Sequence, residues 1–343
     1  MTSKKAQTQV YEVAFMPYAR FEKGFELGDF EIWPFYSEGK ERIKDEKVYF
    51  KLEKYFGRYK EYDPKGYEKD LESINIVTPK HFKIGKDMLS KRHKRNIRSI
   101  SHIITFVTIF EHDFEFTSAE TFIVYFQKFK AGTEGMKIWN ICFSSYNLFK
   151  ILKPINTSQG SIFLPTTEFG KALGEALEHR FKNDKVRRIF SSLEYIYYAL
   201  AFSDMVTDEF RILLLLMAFQ ALLKFENKVG FATELEKCLK LQNSKKFRRK
   251  TSEGIREFSL TGWWAYDLYD LRNKIVHVGN NLPWKIKEYG NVWSRIMFGG
   301  ILLCRLYKNF LHEVGLYNLD IFEFEHENTD EILENIVKEY TDI

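Results

Sequence analysis

The chain of 343 residues is long enough for one large domain or two ordinary ones. Its 45% hydrophobic and 29% charged composition excludes wholesale disorder, and a net charge of +5 does not by itself announce a nucleic-acid binder. Aromatic content is the unusual figure, 17% with 32 Phe and 19 Tyr spread along the chain, which supplies large core and interface area. Three widely spaced cysteines, Cys142, Cys238 and Cys304, argue against a disulfide framework or a cysteine zinc site and favour a reducing, cytoplasmic setting. The first ten residues lack the apolar core of a signal peptide. The longest apolar stretches, 212–219 and 296–304, fall short of the ~20 residues of a membrane span, so a soluble protein without a membrane partner is expected.

In chain order, segments 48–52, 74–77 and 122–126 are rich in β-branched and aromatic residues and read as strands. Turn clusters at 62–67 (YDPKGY) and 130–136 (KAGTEGM) separate them, and Gly24 and Gly28 break the chain earlier. Segment 99–110 suits a helix by length and a strand by composition. These features predict a mixed α/β domain over 1–160, with NTSQG at 156–160 as the linker. No proline occurs between Thr166 and Leu282, and helical stripes follow one another there. Val186, Ile189, Leu193, Ile196, Tyr197 and Leu200 form one, and Ile212, Leu215, Leu216, Phe219, Leu222 and Leu223 a second. The second has Thr207 or Asp208 as N-cap and Gly230 as stop. Leu235, Cys238 and Leu239 give a shorter stripe, and 292–314 a long helix ending at Gly315. The fold class is therefore α+β: a mixed N-terminal domain, an all-α bundle over 161–318, and an acidic segment over 319–343. That last segment has nine acidic residues against Lys338 alone, so it either packs as a solvated helix through Ile332, Leu333, Ile336 and Val337 or covers a basic surface.

Residues 266–280 read YDLYDLRNKIVHVGN. Cutting RNA without a metal needs a base for a 2′-hydroxyl, an acid for the departing 5′-oxygen, and fixed positive charge where the phosphorane forms. Histidine exchanges protons near neutrality, and arginine grips phosphate oxygens with a planar, permanently charged fork. Arg272 with His277 is a minimal kit for that chemistry, and Asn273 can orient the phosphate or the imidazole. Five residues along a straight helix is ~140° of rotation, so either the helix ends near Val276 or a second chain completes the site. The bland alternative is that both side chains cap carbonyls or pair with Asp267 or Asp270.

The stretch LRNKIVH resembles the Arg-x4–6-His motif of HEPN domains, with Arg272, Asn273 and His277 in the motif positions. RILLLLMAFQALLKF, at 211–225, resembles the second bundle helix of that family, and the whole likeness, spanning about 186–315, is closest to the ApeA-like branch. Val278 intervenes before Gly279, where many relatives have glycine directly after the histidine. The resemblance implies a metal-independent endoribonuclease, with no cofactor, acting on RNA as a homodimer whose two motifs face one cleft. It also implies a defence or toxin role, with the N-terminal half as sensor of a trigger or regulatory partner. HEPN domains also occur as catalytically silent dimers that bind RNA or a protein, and that alternative stays open.

Three basic runs are candidate phosphate-binding patches: Lys91, Arg92, Lys94, Arg95 and Arg98; Arg180, Lys182, Lys185, Arg187 and Arg188; and Lys245, Lys246, Arg248, Arg249 and Lys250 with Phe247 interleaved. Lys245, Lys246, Arg248 and Arg249 are the chosen RNA-binding candidates. The remaining histidines show no paired metal-ligand spacing, and His112 with Glu111 and Asp113 reads as a polar turn. The chain has no phosphate-loop, dinucleotide, nucleophile-elbow or HExxH motif.

Overall fold

The computed structural model describes residues 10–62, 68–70, 73–111, 122–130, 167–200, 206–241, 244–278, 291–319 and 328–341. It divides into two compact units, Met1–Leu177 and Glu178–Ile343.

The first unit is built on an antiparallel sheet of β1 (Val10–Met16), β2 (Phe25–Leu27), β3 (Phe30–Pro34), β6 (Asn75–Pro79) and β7 (Tyr125–Lys130), in the order β2-β3-β6-β1-β7. A separate pair, β4 (Lys60–Tyr62) and β5 (Glu68–Asp70), lies between β3 and β6 in sequence. Alternation along β1 sends Tyr11, Val13 and Phe15 into one cluster with Phe35, Tyr49, Leu52 and Phe56. Those partners come from helices α1 (Phe35–Arg42) and α2 (Glu46–Phe56). Phe15 meets Tyr55, Phe56, Tyr59 and Tyr125 at ring-centroid separations of 5.0 to 6.0 Å, so much of the aromatic surplus is spent in this core. Burial pushes the Tyr11 and Tyr59 phenols upward, which keeps both neutral. The alternate β1 position, Glu12, is almost fully buried and pairs at 2.6 Å with Lys94 of α3 (Lys91–Glu111).

Several sequence expectations change here. Segment 48–52 is helix, because Asp45 caps Lys47 and Val48 and the apolar residues Val48, Tyr49, Leu52, Tyr55 and Phe56 recur at helical spacing. Segment 99–110 is helix as well, the second half of α3, its β-branched residues buried along Ile97, Ile100, Ile103, Ile104 and Val107. The third strand runs Tyr125–Lys130, a few residues later than read. The turn residues 63–67 and 131–136, the linker 156–160, His112 and Asp113, and Cys142 lie outside the described residues.

Helix α4 (Glu168–His179) falls largely in the first unit, and its Gly174 meets the β2–β3 turn backbone to backbone. A Cβ on Gly174 would sit 2.8 Å from the amide nitrogen of Gly28, which itself holds φ +56. Glycine at both positions is what lets helix and turn approach this closely.

The second unit packs α5 (Asp184–Ala199), α6 (Asp208–Leu223), α7 (Lys228–Cys238), α8 (Leu260–Val278), α9 (Val292–Glu313) and α10 (Thr329–Thr341). Asn183, Thr207, Asn227 and Asn291 cap α5, α6, α7 and α9 through their side chains. Gly230 is the third residue of α7 and not the stop of α6, which ends at Lys224 in the left-handed region with φ 58. Asp184 receives Lys224 at 2.9 Å, and that ammonium, first among its neighbours, holds the carboxyl below the usual range. Trp264, Phe219, Phe231 and Phe298 form the aromatic centre, and Gly299 of α9 lies against Leu215 of α6. The unit is not all-helical: β8 (Phe247–Thr251) and β9 (Gly254–Phe258) form a hairpin between α7 and α8. Among the described residues no helix is long and apolar enough to cross a membrane.

Two glycines give opposite expectations. Gly174→Ala must push backbone against backbone and should cost ~1–3 kcal/mol of unfolding free energy. Gly230→Ala, on a helix with its nearest neighbour 3.4 Å from the added carbon, should stabilise by about 0.4–1 kcal/mol. Urea unfolding of both variants checks the pair of signs.

Candidate active site

The site begins at the N-terminus of α8, where the first amide N–H groups have no intrahelical partner. Ser259 Oγ accepts from Gly262 at 3.0 Å, an ordinary local cap. The two preceding amides go to a side chain far away in sequence: Asp330 accepts from the N–H of Leu260 at 3.2 Å and of Thr261 at 2.7 Å. The Thr261 hydroxyl also donates to Asp330 at 2.7 Å and meets the Thr329 hydroxyl at 3.0 Å. Glu236 of α7 accepts from the Ser259 amide at 2.5 Å and pairs with Lys246 at 2.8 Å. Two carboxylates therefore face the positive end of this helix.

The acidic C-terminal segment thus acts through one residue as a long-range cap, while Leu333 and Ile336 are buried. Within 319–343 the described helix Thr329–Thr341 packs on its own unit, where α10 meets α8 and α9.

Along α8 the burial changes abruptly. Trp263, Trp264, Ala265, Tyr266, Leu268 and Leu271 are buried, whereas every residue from Arg272 to His277 is half-buried or exposed. Trp263, Trp264 and Tyr266, which precede the motif, are core residues of their own unit. Trp263 donates its ring N–H to Phe247 O at 2.8 Å, and Tyr269 donates to Glu226 O at 2.8 Å.

Arg272 donates to Asn273 Oδ1 at 2.9 Å, and its guanidinium lies 6.0 Å from the Tyr269 ring centre. His277 is exposed in the last full turn. Asn273 and His277, four residues apart, share a helical stripe. The helix continues through Val278, so an end near Val276 does not bring Arg272 and His277 together. Asp267 pairs with Arg249 at 3.0 Å, and Asp270 faces Lys274 at 3.2 Å and Lys228 at 3.8 Å. The acidic neighbours offered as alternative partners of Arg272 are engaged with other cations. Gly279 lies outside the described residues.

Residues 247–250 of the basic run lie on β8, with Lys245 and Lys246 just before it, and pairing ties Lys246, Arg248 and Arg249 inside the unit. Lys246 belongs to Glu236, Arg248 to Glu257 at 3.0 Å, and Arg249 to Asp267 while lying 4.6 Å from the Trp263 ring centre. Lys245 lies 5.1 Å from the Phe247 ring centre and is exposed. Of the chosen RNA-binding residues, Lys246 and Arg249 are structural links between hairpin and helix, which sequence spacing could not reveal. Asp330 and Glu236 are the contributors that sequence reasoning missed; an aspartate 69 positions from its amide partner leaves no local pattern.

Burial pushes the Cys238 thiol up, which makes it a poor nucleophile, and Cys304 is buried. Among the described residues no group of three or more His, Cys, Asp or Glu side chains is placed to hold a metal ion.

Removing the long-range cap should loosen the start of α8. Asp330→Ala is expected to cost about 1–2 kcal/mol of stability and to speed amide exchange at Leu260 and Thr261, with Asp330→Asn milder because one acceptor remains. An Asp330→Ala protein with wild-type unfolding and exchange would remove the cap from the account.

Comparison of the chain with protein-family models, with curated proteins and with solved structures finds no match.

Proposed function

We propose that the second unit is a metal-independent endoribonuclease of HEPN type, using Arg272, Asn273 and His277 of two copies of the chain. The observation that carries the reading is the solvent-facing end of α8, where Arg272 is hydrogen-bonded to Asn273 and His277 stands exposed on the Asn273 stripe.

In this chemistry a base removes the 2′-hydroxyl proton, the 2′-oxygen attacks phosphorus, and the bond to the 5′-oxygen breaks as that oxygen gains a proton. The products are a 2′,3′-cyclic phosphate and a 5′-hydroxyl. His277 supplies proton transfer, and Arg272 holds charge on the non-bridging oxygens. Asn273, whose oxygen accepts from Arg272, fixes the guanidinium and keeps its amide N–H groups for phosphate.

The helix geometry argues for the dimer. Arg272 and His277 point ~140° apart on an unbroken helix, so one phosphate meets both when the arginine comes from one chain and the histidine from the other. The half-buried Ile275 and exposed Val276 add apolar area beside the motif for such a contact. In the cell the same activity would make the protein an RNA-cleaving effector of the defence or toxin kind.

His277→Ala should lower cleavage by ~10²–10⁴ while leaving the thermal melt intact, and EDTA should leave the wild-type rate unchanged. Full cleavage by that variant would remove the chemistry. Mixing Arg272→Ala with His277→Ala protein tests the shared site. Random pairing in an isologous dimer should restore roughly a quarter of wild-type activity, whereas a site contained in one chain would stay dead. RNA binding without cleavage by the wild type would favour a silent binding module.

A further inference from the structure

One aromatic side chain of α8 is left out of the core. Trp263, Trp264 and Tyr266 are buried, whereas Tyr269, about one turn further on, is half-buried. It is nonetheless held at two points. Its hydroxyl donates to Glu226 O at 2.8 Å, and its ring meets Phe225 edge-on at 6.1 Å between centres. Both partners belong to the junction between α6 and α7, and that junction is itself fixed. Lys224 ends α6 in the left-handed region, and Asn227 caps α7. Gln220 Nε2 donates to Phe225 O at 3.4 Å, and the Phe225 ring stacks on Phe231 at 4.2 Å. The tyrosine ring is thus an anchored surface, set by a backbone carbonyl from another part of the unit.

Arg272 follows three residues later, which makes it a neighbour of Tyr269 on the helix surface. Long side chains on a helix lean toward its N-terminus, and here this leaves the guanidinium over the Tyr269 ring, 6.0 Å from its centre. The guanidinium also donates to Asn273 Oδ1 at 2.9 Å. Both of these partners are neutral. A carboxylate in either place would hold the arginine but offset the charge that an incoming phosphate needs. An aromatic face and an amide oxygen orient the group and leave its charge whole. The carboxylates on this part of α8 are held by other cations, Asp267 by Arg249 and Asp270 by Lys228 and Lys274.

We infer that Tyr269 is a positioning residue for Arg272: anchored to Glu226 O, its ring sets where the guanidinium stands before an anion arrives. The inference rests on the reading of Arg272 as the charge that meets phosphate. A free arginine side chain loses much conformational freedom on binding, and restricting it in advance moves that loss from binding to folding. Charge fixed beforehand also needs no rearrangement as a phosphorane forms. In this role Tyr269 acts through Arg272 and not on the substrate, and the α6–α7 junction becomes part of the site's support.

The test reads Arg272 directly, in the full chain labelled with 15N-arginine. The Nε–Hε signal of Arg272 is the one missing in Arg272→Lys, and its heteronuclear NOE reports how ordered the guanidinium is. Tyr269→Leu should lower that NOE most. Tyr269→Phe, which keeps the ring and the packing on Phe225 but loses the anchor, should lower it less and covers the case in which the leucine variant fails to fold. An NOE unchanged from wild type in either folded variant would make Tyr269 a residue of the fold only and overturn the inference. Affinity for a fluorescent 2′-O-methyl RNA oligonucleotide, which cannot be cleaved through a 2′-hydroxyl, supplies the second readout. Tyr269→Leu should weaken binding about 2–5-fold, the size of an exposed cation–π contact. It should have no further effect in an Arg272→Ala background, because the two residues act as one unit. The same loss in both backgrounds would sink the coupling. If Arg272→Ala itself binds and cleaves RNA like wild type, the ribonuclease reading falls, and the NOE still decides whether Tyr269 orders Arg272.

Discussion

The arrangement of the second unit turns on the start of α8. A helix presents four amide groups that its own backbone cannot satisfy, and burying them unpaired is costly. Here Ser259 meets one locally, while Asp330 takes two from a segment at the far end of the chain. Glu236, brought in on α7, takes the amide of Ser259 just before them. The buried hydroxyl of Thr261 then joins Asp330 to Thr329. With its first turn fixed from three directions, α8 can bury Trp263, Trp264 and Tyr266 and project residues 272–277 outward on a rigid rod. The placing of the side chains at its C-terminal end thus depends on a scaffold at its other end.

The same links explain why the hairpin is basic. Phe247 accepts from Trp263, Arg249 crosses to Asp267, and Lys246 neutralises the carboxylate that caps Ser259. A hairpin lying against a helix with an acidic side chain at Asp267 needs a cation of its own, and Arg249 supplies it. Half-buried pairs of this kind set how neighbouring elements seat on one another more than they add net stability. In sequence the run resembles a nucleic-acid patch; in space most of it is internal wiring.

Sequence periodicity located helices well where a cap and an apolar stripe coincided, as at Thr207 with Ile212, Leu215 and Phe219. It failed at 48–52, where local β-branched and aromatic content competed with a helix fixed by Asp45 and by packing against the sheet. It failed again for Gly230, because glycine serves a helix's first turn as readily as its end. The residues of the candidate motif were legible because they are contiguous. Their surroundings were not: Asp330 and Glu236 reach α8 only through tertiary folding, and Gly174 against Gly28 is visible only once a helix and a turn from distant parts of the chain meet.

The helix also sharpens what a functional dimer would have to accomplish. Had α8 ended at Val276, a bend could have folded His277 back toward Arg272 within one chain; its continuation through Val278 closes that route. Asn273 is then the residue best placed to matter twice. It orients Arg272 through a hydrogen bond in its own chain, and it shares a stripe with His277. A symmetric pairing that brought the Arg272 side of one α8 against the His277 side of another would give each phosphate a fixed charge and a proton carrier from different chains. In that arrangement neither copy alone presents a complete site, and assembly itself becomes the step that creates activity.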